Sequence, residues 1–331
     1  MKLLNLPSLI QHEVYKNMKP KEMLILSMAS KRVLDSMKQF KWDVTTVIMR
    51  FHENSVVISF PMKNDNDRDY EDHIRLQTKS FPNVRCITLV DELASVLFFN
   101  HVFIRPVPLE IHNLTFELFS RSAGLKLHVS AWGIHNYSLI PNVRVASIDD
   151  KSIQIQCIDE FIKSNPELEA LELSIRNIEG SPSSKMFSVK SLHIIDSEVP
   201  FTKYIRHFKG RDAMFRSQED ETSVLVIEFL EKWIKGVYSE NVEFLHIYGY
   251  YNDSVQAGVV GHLGNKLKPW NETEMPRFYR FGSELESNFR MDQSWYDFKD
   301  GFYIEREIDG QGALLKLDPS FMSFWILKTD K

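Results

Sequence analysis

The chain has 331 residues, 43% of them hydrophobic and 26% charged, with a formal net charge of −5 and a pI near 6.1. That composition can build a sizeable core in one or two domains. It argues against a nucleic-acid partner, which would want a basic patch. The two cysteines, Cys86 and Cys157, sit in apolar runs and read as small buried hydrophobes rather than a disulfide or a metal site. The opening MKLLNLPSLIQHE is too broken for a signal peptide, with Asn5 and Pro7 interrupting its apolar run. No window reaches the roughly 18 apolar residues of a membrane span. The expectation is a cytoplasmic or nuclear protein with no membrane partner.

Leu6 to Trp42 is dense in apolar residues and cut into three pieces. Pro7 stands at the start of the first, where a helix needs no backbone donor. Leu6, Leu9, Ile10, Val14 and Met18 then fall on one helical stripe. Pro20 opens the second piece, which carries Met23, Leu24, Leu26 and Met28. Ser30 can cap a third, with Val33, Leu34, Met37 and Phe40. Three helices this short bury only a small core, and the stripes on the first two leave apolar surface that calls for a partner.

Leu6-Pro7, the apolar helix, Met18-Lys19-Pro20, Leu24 and Ser30-Lys31-Arg32 together resemble an F-box. The resemblance covers residues 1–42. It departs at Val33 and Leu34, where many members place an aromatic residue; Trp42 is the substitute on offer. It implies docking on the Skp adaptor of a Skp–cullin–F-box ubiquitin ligase. The adaptor-binding residues would be Leu6, Pro7, Leu9, Ile10, Val14, Pro20 and Leu24.

Beyond the helices the period changes. VTTVIMRF and VVISFPM, separated by HENS, read as a hairpin. DNDRDYED, residues 65–72, opens like a calcium loop with Asp65, Asp67 and Asp69, but the sixth position is Tyr70 and the twelfth Leu76, so it reads as a solvated loop. A weak repeat then appears: apolar, two residues, apolar, one residue, apolar. It occurs at Val84, Ile87 and Leu89; at Ile111, Leu114 and Phe116; at Val143, Ala146 and Ile148; at Leu168, Leu171 and Leu173; at Val189, Leu192 and Ile194; and at Val242, Leu245 and Ile247. Most gaps between starts are close to the 20–29 residues of a leucine-rich repeat, and the last is about twice that. CIDEFIKS and VIEFLEKWIKG are helical stretches leading into such strands, a pattern that yields parallel strands with helices on one side. The asparagine or cysteine expected three residues after each repeat is missing, at Glu92, Phe119, Lys151, Arg176, Ser197 and Tyr250.

Residues 200–224, with KGRDAMFRSQEDET, read as an exposed loop or insertion. Gly258, Gly261 and Gly264 lack the strand and the Gly-Lys-Ser/Thr ending of a phosphate loop. The tail from Asp300 reads as antiparallel strands around an Asp309-Gly310-Gln311-Gly312 turn, capping the repeat. Its YIERE…DG core and the FLEKWIKG…NVEFLHI run are similar to the F-box-associated region of a large, nematode-expanded F-box family.

The fold expectation is therefore α/β. It comprises a three-helix F-box at 1–42, then an F-box-associated substrate-binding domain at 43–331. That domain is a degenerate leucine-rich-repeat-like arc of parallel strands and helices with a C-terminal antiparallel cap. No motif for hydrolysis, metal binding or a cofactor stands out, and no enzyme activity is expected. Strand alternation assigns one open face, the expected target-binding surface, to Thr88, Thr115, Ser147, Glu172, His193, His246 and Tyr248. The expected partners are the Skp adaptor, the cullin core and a protein substrate. Two alternatives stay open: a repeat-type scaffold whose N-terminal helices merely cap its own core, which would leave Leu9, Ile10 and Val14 covered, and an enzyme with an unrecognised pocket.

Overall fold

Pro7 (φ −54°, ψ 146°) follows a 3₁₀ turn at Leu3–Asn5 and stands at the N-cap of α1 (Ser8–Lys16); Pro20, with no backbone donor to lose, opens α2 (Pro20–Ala29). Glu22 reaches back to accept from the Lys19 backbone N–H at 2.8 Å, tying the entry to α2. α3 (Lys31–Met37) follows with Ser30 at its N-cap position, although the Ser30 side chain makes no capping bond. The computed structural model describes residues 3–44, 46–52, 55–63, 69–78, 86–90, 95–99, 107–119, 126–131, 141–149, 153–175, 182–195, 201–217, 222–237, 241–249, 253–271, 273, 275–280, 295–318 and 321–327. The chain divides into two compact units, Met1–Ala146 with Ser164–Glu167, and Ser147–Lys163 with Leu168–Lys331. Both carry helices on a mixed sheet.

The first unit holds the three helices, and α2 packs against α3. The expected hairpin is present as β1 (Thr46–His52) and β2 (Ser55–Lys63), paired antiparallel with His52 opposite Ser55. β3 (Asp69–Thr78) extends it antiparallel, so Asp69 to Asp72 of the expected solvated loop are strand, while residues 64–68 lie outside the described residues. β4 (Cys86–Val90) and β5 (Ser95–Phe99) form an antiparallel pair, with β5 parallel to β3. α4 (Val107–Phe119) precedes β6 (Lys126–Ala131), which pairs parallel with β1. The strand order is β6–β1–β2–β3–β5–β4. α2 also touches α4 and β3, which places Met23, Leu24 and Ser27 in the core.

Two expectations fail here. Ile111, Leu114 and Phe116 belong to a helix, not a repeat strand: the step from Ile111 to Leu114 is helical, and only Leu114 and Phe116 have strand parity. β4, the first expected repeat strand, has an antiparallel neighbour and, among the described residues, no parallel one.

The second unit opens with the later half of β7 (Val145–Asp149). Then come α5 (Ile155–Ser164), β8 (Ala170–Ser174), β9 (Ser191–Ile195), α6 (Phe201–Ile205), β10 (Asp212–Ser217), α7 (Thr222–Ile234), β11 (Phe244–Gly249) and α8 (Asp253–Leu263). β8, β9, β10 and β11 are parallel neighbours in chain order. β10 corrects the loop expected over 200–224: Ala213, Met214 and Phe215 are buried between β9 and β11. The repeat spacing is intact at Gly210, Ala213 and Phe215, with glycine in the first apolar slot. That glycine is forced, since a Cβ on Gly210 would lie 2.0 Å from the Val189 carbonyl oxygen. Charged neighbours hid the strand; the fully buried Asp212 carboxylate is satisfied by Arg211 Nη2 at 2.6 Å and by Ser191 Oγ at 3.2 Å.

A short β12 (Lys268–Pro269) and a separate antiparallel pair, β13 (Phe278–Arg280) with β14 (Trp295–Asp297), precede the tail. β15 (Phe302–Glu305), β16 (Gly312–Asp318) and β17 (Phe321–Ile326) are antiparallel, and β17 joins β11 antiparallel. Gly310 (φ 72°) takes the left-handed backbone of the turn read from Asp309-Gly310. On one side of the parallel strands lie Leu171, Leu173, Leu192, Ile194, Ala213, Phe215, Leu245 and Ile247, all buried. Tyr204 of α6 stacks on Phe215 at 5.9 Å, and Phe229 and Trp233 of α7 meet Phe324 edge-on at 5.4 and 5.0 Å.

Candidate functional site

α1 is turned contrary to the usual rule for an amphipathic helix. Its inner side is aromatic and polar. Tyr15 is fully buried, 6.2 Å from the Trp42 ring and 6.3 Å from the Phe40 ring. His12 lies tilted 4.7 Å from Phe40, and Gln11 Oε1 accepts from Ser36 Oγ at 2.6 Å while Gln11 Nε2 donates to the Leu6 carbonyl at 2.7 Å. Its outer side is aliphatic: Leu9 is 72% exposed, Ile10 47% and Val14 40%. Trp42 is buried against Tyr15 and Phe40, and Val33 is buried on α3.

The expected docking residues therefore divide. Leu9, Ile10 and Val14 form an outward patch with exposed Pro7 beside it, and Leu6 and Pro20 are half-buried. Leu24 is fully buried and faces the interior, so it holds the helices together and cannot meet a partner. A stripe read from spacing alone does not say which stripe is covered.

The second cluster lies on the side of the parallel strands away from the apolar core. Glu172, His193, Met214 and His246 are register neighbours across β8, β9, β10 and β11, and Ser323 of β17 continues the row. Ser147 Oγ donates to Glu172 Oε1 at 2.6 Å. The other carboxylate oxygen lies 2.9 Å from His193 Nδ1, and His193 Nε2 lies 2.7 Å from the Tyr248 hydroxyl. A carboxylate oxygen accepts from Nδ1–H, which leaves Nε2 to accept from the Tyr248 hydroxyl. His246 Nδ1 pairs with Ser323 Oγ at 2.9 Å, and its ring is wrapped by Tyr248, Tyr296 and Phe321 at 5.8, 4.9 and 5.3 Å. Burial, with a smaller push from His193, drives His246 down to about 3. Burial likewise raises the Tyr296 phenol above the usual tyrosine range.

Five of the seven expected target-binding residues thus share one face: Ser147, Glu172, His193, His246 and Tyr248. That face is not open as expected. His193 and His246 are buried, and Tyr296 of β14 lies over Phe244 and His246 at 4.7 and 4.9 Å. The alternation was right, but what covers the strands comes from a distant segment. Thr115 is a buried helical residue of α4 in the first unit, and Thr88 stands on β4 in the same unit, opposite Leu97. Neither joins the row.

The row has the order hydroxyl, carboxylate, imidazole, phenol. Each buried polar group in it is answered by another, which is what a low-dielectric site demands. Sequence reasoning missed Ser323 and Met214; only strand order reveals them. Among the described residues no group of three or more His, Cys, Asp or Glu could hold a metal ion, and no helix is long and apolar enough to cross a membrane.

No protein-family model, curated protein or solved structure matches this chain. A functional reading therefore rests on the residues and their geometry. The α1 patch is one of the apolar features that internal packing leaves exposed, as it also leaves Val224, Val237, Phe278 and Ile308, whereas the polar row is satisfied from within.

Proposed function

We propose that this chain is the substrate-recognition subunit of a Skp–cullin–F-box ubiquitin ligase, cytoplasmic or nuclear, with α1 docking on the Skp adaptor. The F-box resemblance of Leu6–Trp42 suggests the partner. The observation that carries the reading is the orientation of α1, with glutamine and tyrosine inward and Leu9, Ile10 and Val14 outward. The three residues amount to about one and a half fully exposed aliphatic side chains, worth about 3 kcal/mol if covered. That is roughly a hundredfold in affinity. The scaffold alternative required the same residues to be covered within the chain, and their exposure weighs against it. The parallel run β8–β11 with its helices, followed by antiparallel β15–β17, supports a leucine-rich-repeat-like substrate domain with a cap. Such a subunit works by positioning a target near a charged ubiquitin carrier, and no chemistry of its own is required.

The test is co-purification of the full chain with a Skp adaptor, alongside a Leu9→Asp/Ile10→Asp variant. Wild type is expected to bind and the variant to fail while keeping the wild-type melting temperature. A wild-type chain that does not bind ends the proposal.

A further inference from the structure

The strand face read as the target surface is covered at His246 by Tyr296 and Phe321, so a target contact on the second unit falls to another surface. One is set apart by charge. FTKYIRHFKGR, residues 201–211, runs from α6 to the start of β10 with four Lys and Arg, one His and no Asp or Glu. Lys203, Arg206 and His207 stand at i, i+3 and i+4, and the helical turn continues past α6 through the His207 N–H, which donates to the Tyr204 carbonyl at 3.0 Å. The three therefore share one face. The Lys209 N–H donates to the Phe187 carbonyl at 2.7 Å, and the Phe187 ring lies 5.7 Å from the His207 ring, which brings Lys209 to the same place. Lys203, Arg206 and Lys209 are exposed and His207 is half-buried. Burial, and then the charges of Arg206 and Lys209, hold the His207 imidazole below the usual histidine range.

Among the described residues, none of Lys203, Arg206 and Lys209 meets a carboxylate. By contrast, Lys232 meets Glu228, Lys266 meets Glu307, Lys268 meets Glu305 and Arg277 meets Asp297. The acids that flank the surface are turned to other groups. Asp159 accepts from Ser184 Oγ and the Lys185 N–H at 2.7 and 2.8 Å, and buried Asp212 holds Arg211. Glu169 and Glu243, one residue before β8 and β11, are half-buried beside Lys190 and Arg211, and those two cations are left out of the surface. Like charges at helical spacing oppose the helix that carries them, and nothing within the unit offsets that.

We propose that Lys203, Arg206, His207 and Lys209 form a docking surface for a short Asp- and Glu-rich stretch of a protein partner. That this partner is the ligase target rests on the reading above. Phosphate recognition favours forked guanidinium contacts, whereas the surface offers two lysine point charges and one arginine whose Nε is already on the Thr202 carbonyl at 3.4 Å. A long polyanion such as nucleic acid would also meet the rest of a chain whose net charge is −5. An acidic stretch no longer than the patch feels mainly the local field, because screening cuts off at about 10 Å in 0.1 M salt.

The experiment is fluorescence anisotropy of the full chain with a labelled glutamate-rich peptide, at low and high sodium chloride. Its glutamine counterpart, a phosphoserine peptide and a single-stranded DNA oligomer of equal charge serve as competitors. The glutamate peptide is expected to bind about tenfold or more tighter than the glutamine peptide at low salt, and to lose that margin at high salt. Lys203→Ala/Lys209→Ala should weaken it about threefold or more, whereas Lys266→Ala/Lys268→Ala, which removes paired cations, should change it less than about twofold. Equal binding of the glutamate and glutamine peptides overturns the inference, as does equal weakening by the two double variants. A phosphoserine peptide or DNA oligomer that binds about tenfold tighter than the glutamate peptide overturns the assignment to carboxylates. The wild-type comparison decides the matter even if a variant misfolds. Failure here leaves adaptor binding, and with it the ligase reading, untouched; a chain that binds the glutamate peptide but no adaptor keeps the surface and ends the ligase reading.

Discussion

Acidification should destabilise the second unit through His246. This imidazole is enclosed by Tyr248, Tyr296 and Phe321 and bonded to Ser323, and burial drives its pKa from 6.5 to about 3. The folded state then binds fewer protons than the unfolded state between those two values, so stability falls as pH falls through that window and is fully present above about pH 6.5. At about 1.36 kcal/mol per unit, lowering the pH from 7 to 5 costs about 2 kcal/mol from this group alone. The perturbation that isolates it is His246→Phe/Ser323→Ala, which keeps an aromatic ring on the Tyr296 contact and removes both members of the hydrogen bond. Urea unfolding at pH 7, 6 and 5 gives stability for wild type and variant. Wild type should lose about 2 kcal/mol more than the variant over that range. Equal losses, within about 0.5 kcal/mol, would refute burial of a neutral His246. His112 adds a similar, smaller slope in the first unit: burial drives it down to about 4 against a weaker opposing pull from the Pro141 carbonyl.

Gly210→Ala should cost about 3 kcal/mol or more, because the new methyl would meet the Val189 carbonyl at 2.0 Å and the Phe208 ring at 2.5 Å, and the backbone must give; chemical denaturation measures it. Tyr248→Phe should cost about 1 kcal/mol by the same measurement, for the lost bond to His193 Nε2. Leu9→Ala should change stability by less than about 0.5 kcal/mol and Leu24→Ala by about 2–5, since only Leu24 is enclosed. Matched losses for the two leucines would show that α1 is turned the other way.

Much of the fold was legible because its signals are local. Pro7 and Pro20 mark the starts of α1 and α2, Phe229 and Trp233 recur at helical spacing on α7, and Asp309-Gly310 marks the turn between β15 and β16. Where local signals conflict, the reading failed. Ile111 and Leu114 make a helical step while Leu114 and Phe116 keep strand parity, and α4 won. Arg211, Asp212 and Arg216 gave β10 the composition of a loop, although the ion pair at Asp212 lets it be a buried strand.

The candidate sites show the same division more sharply. Sequence by itself determined that α1 carries an aliphatic stripe and that Glu172, His193, His246 and Tyr248 share a strand parity, since both follow from fixed backbone periods. Which face is covered depends on elements far along the chain. Tyr15 went inward because Phe40 and Trp42 return to meet it, leaving Leu9, Ile10 and Val14 outside. His246 went inward because Tyr296 and Phe321, many residues later, close over it. Periodicity fixes the direction of a side chain relative to its own backbone; burial is a property of what packs against it, and only the tertiary structure supplies that.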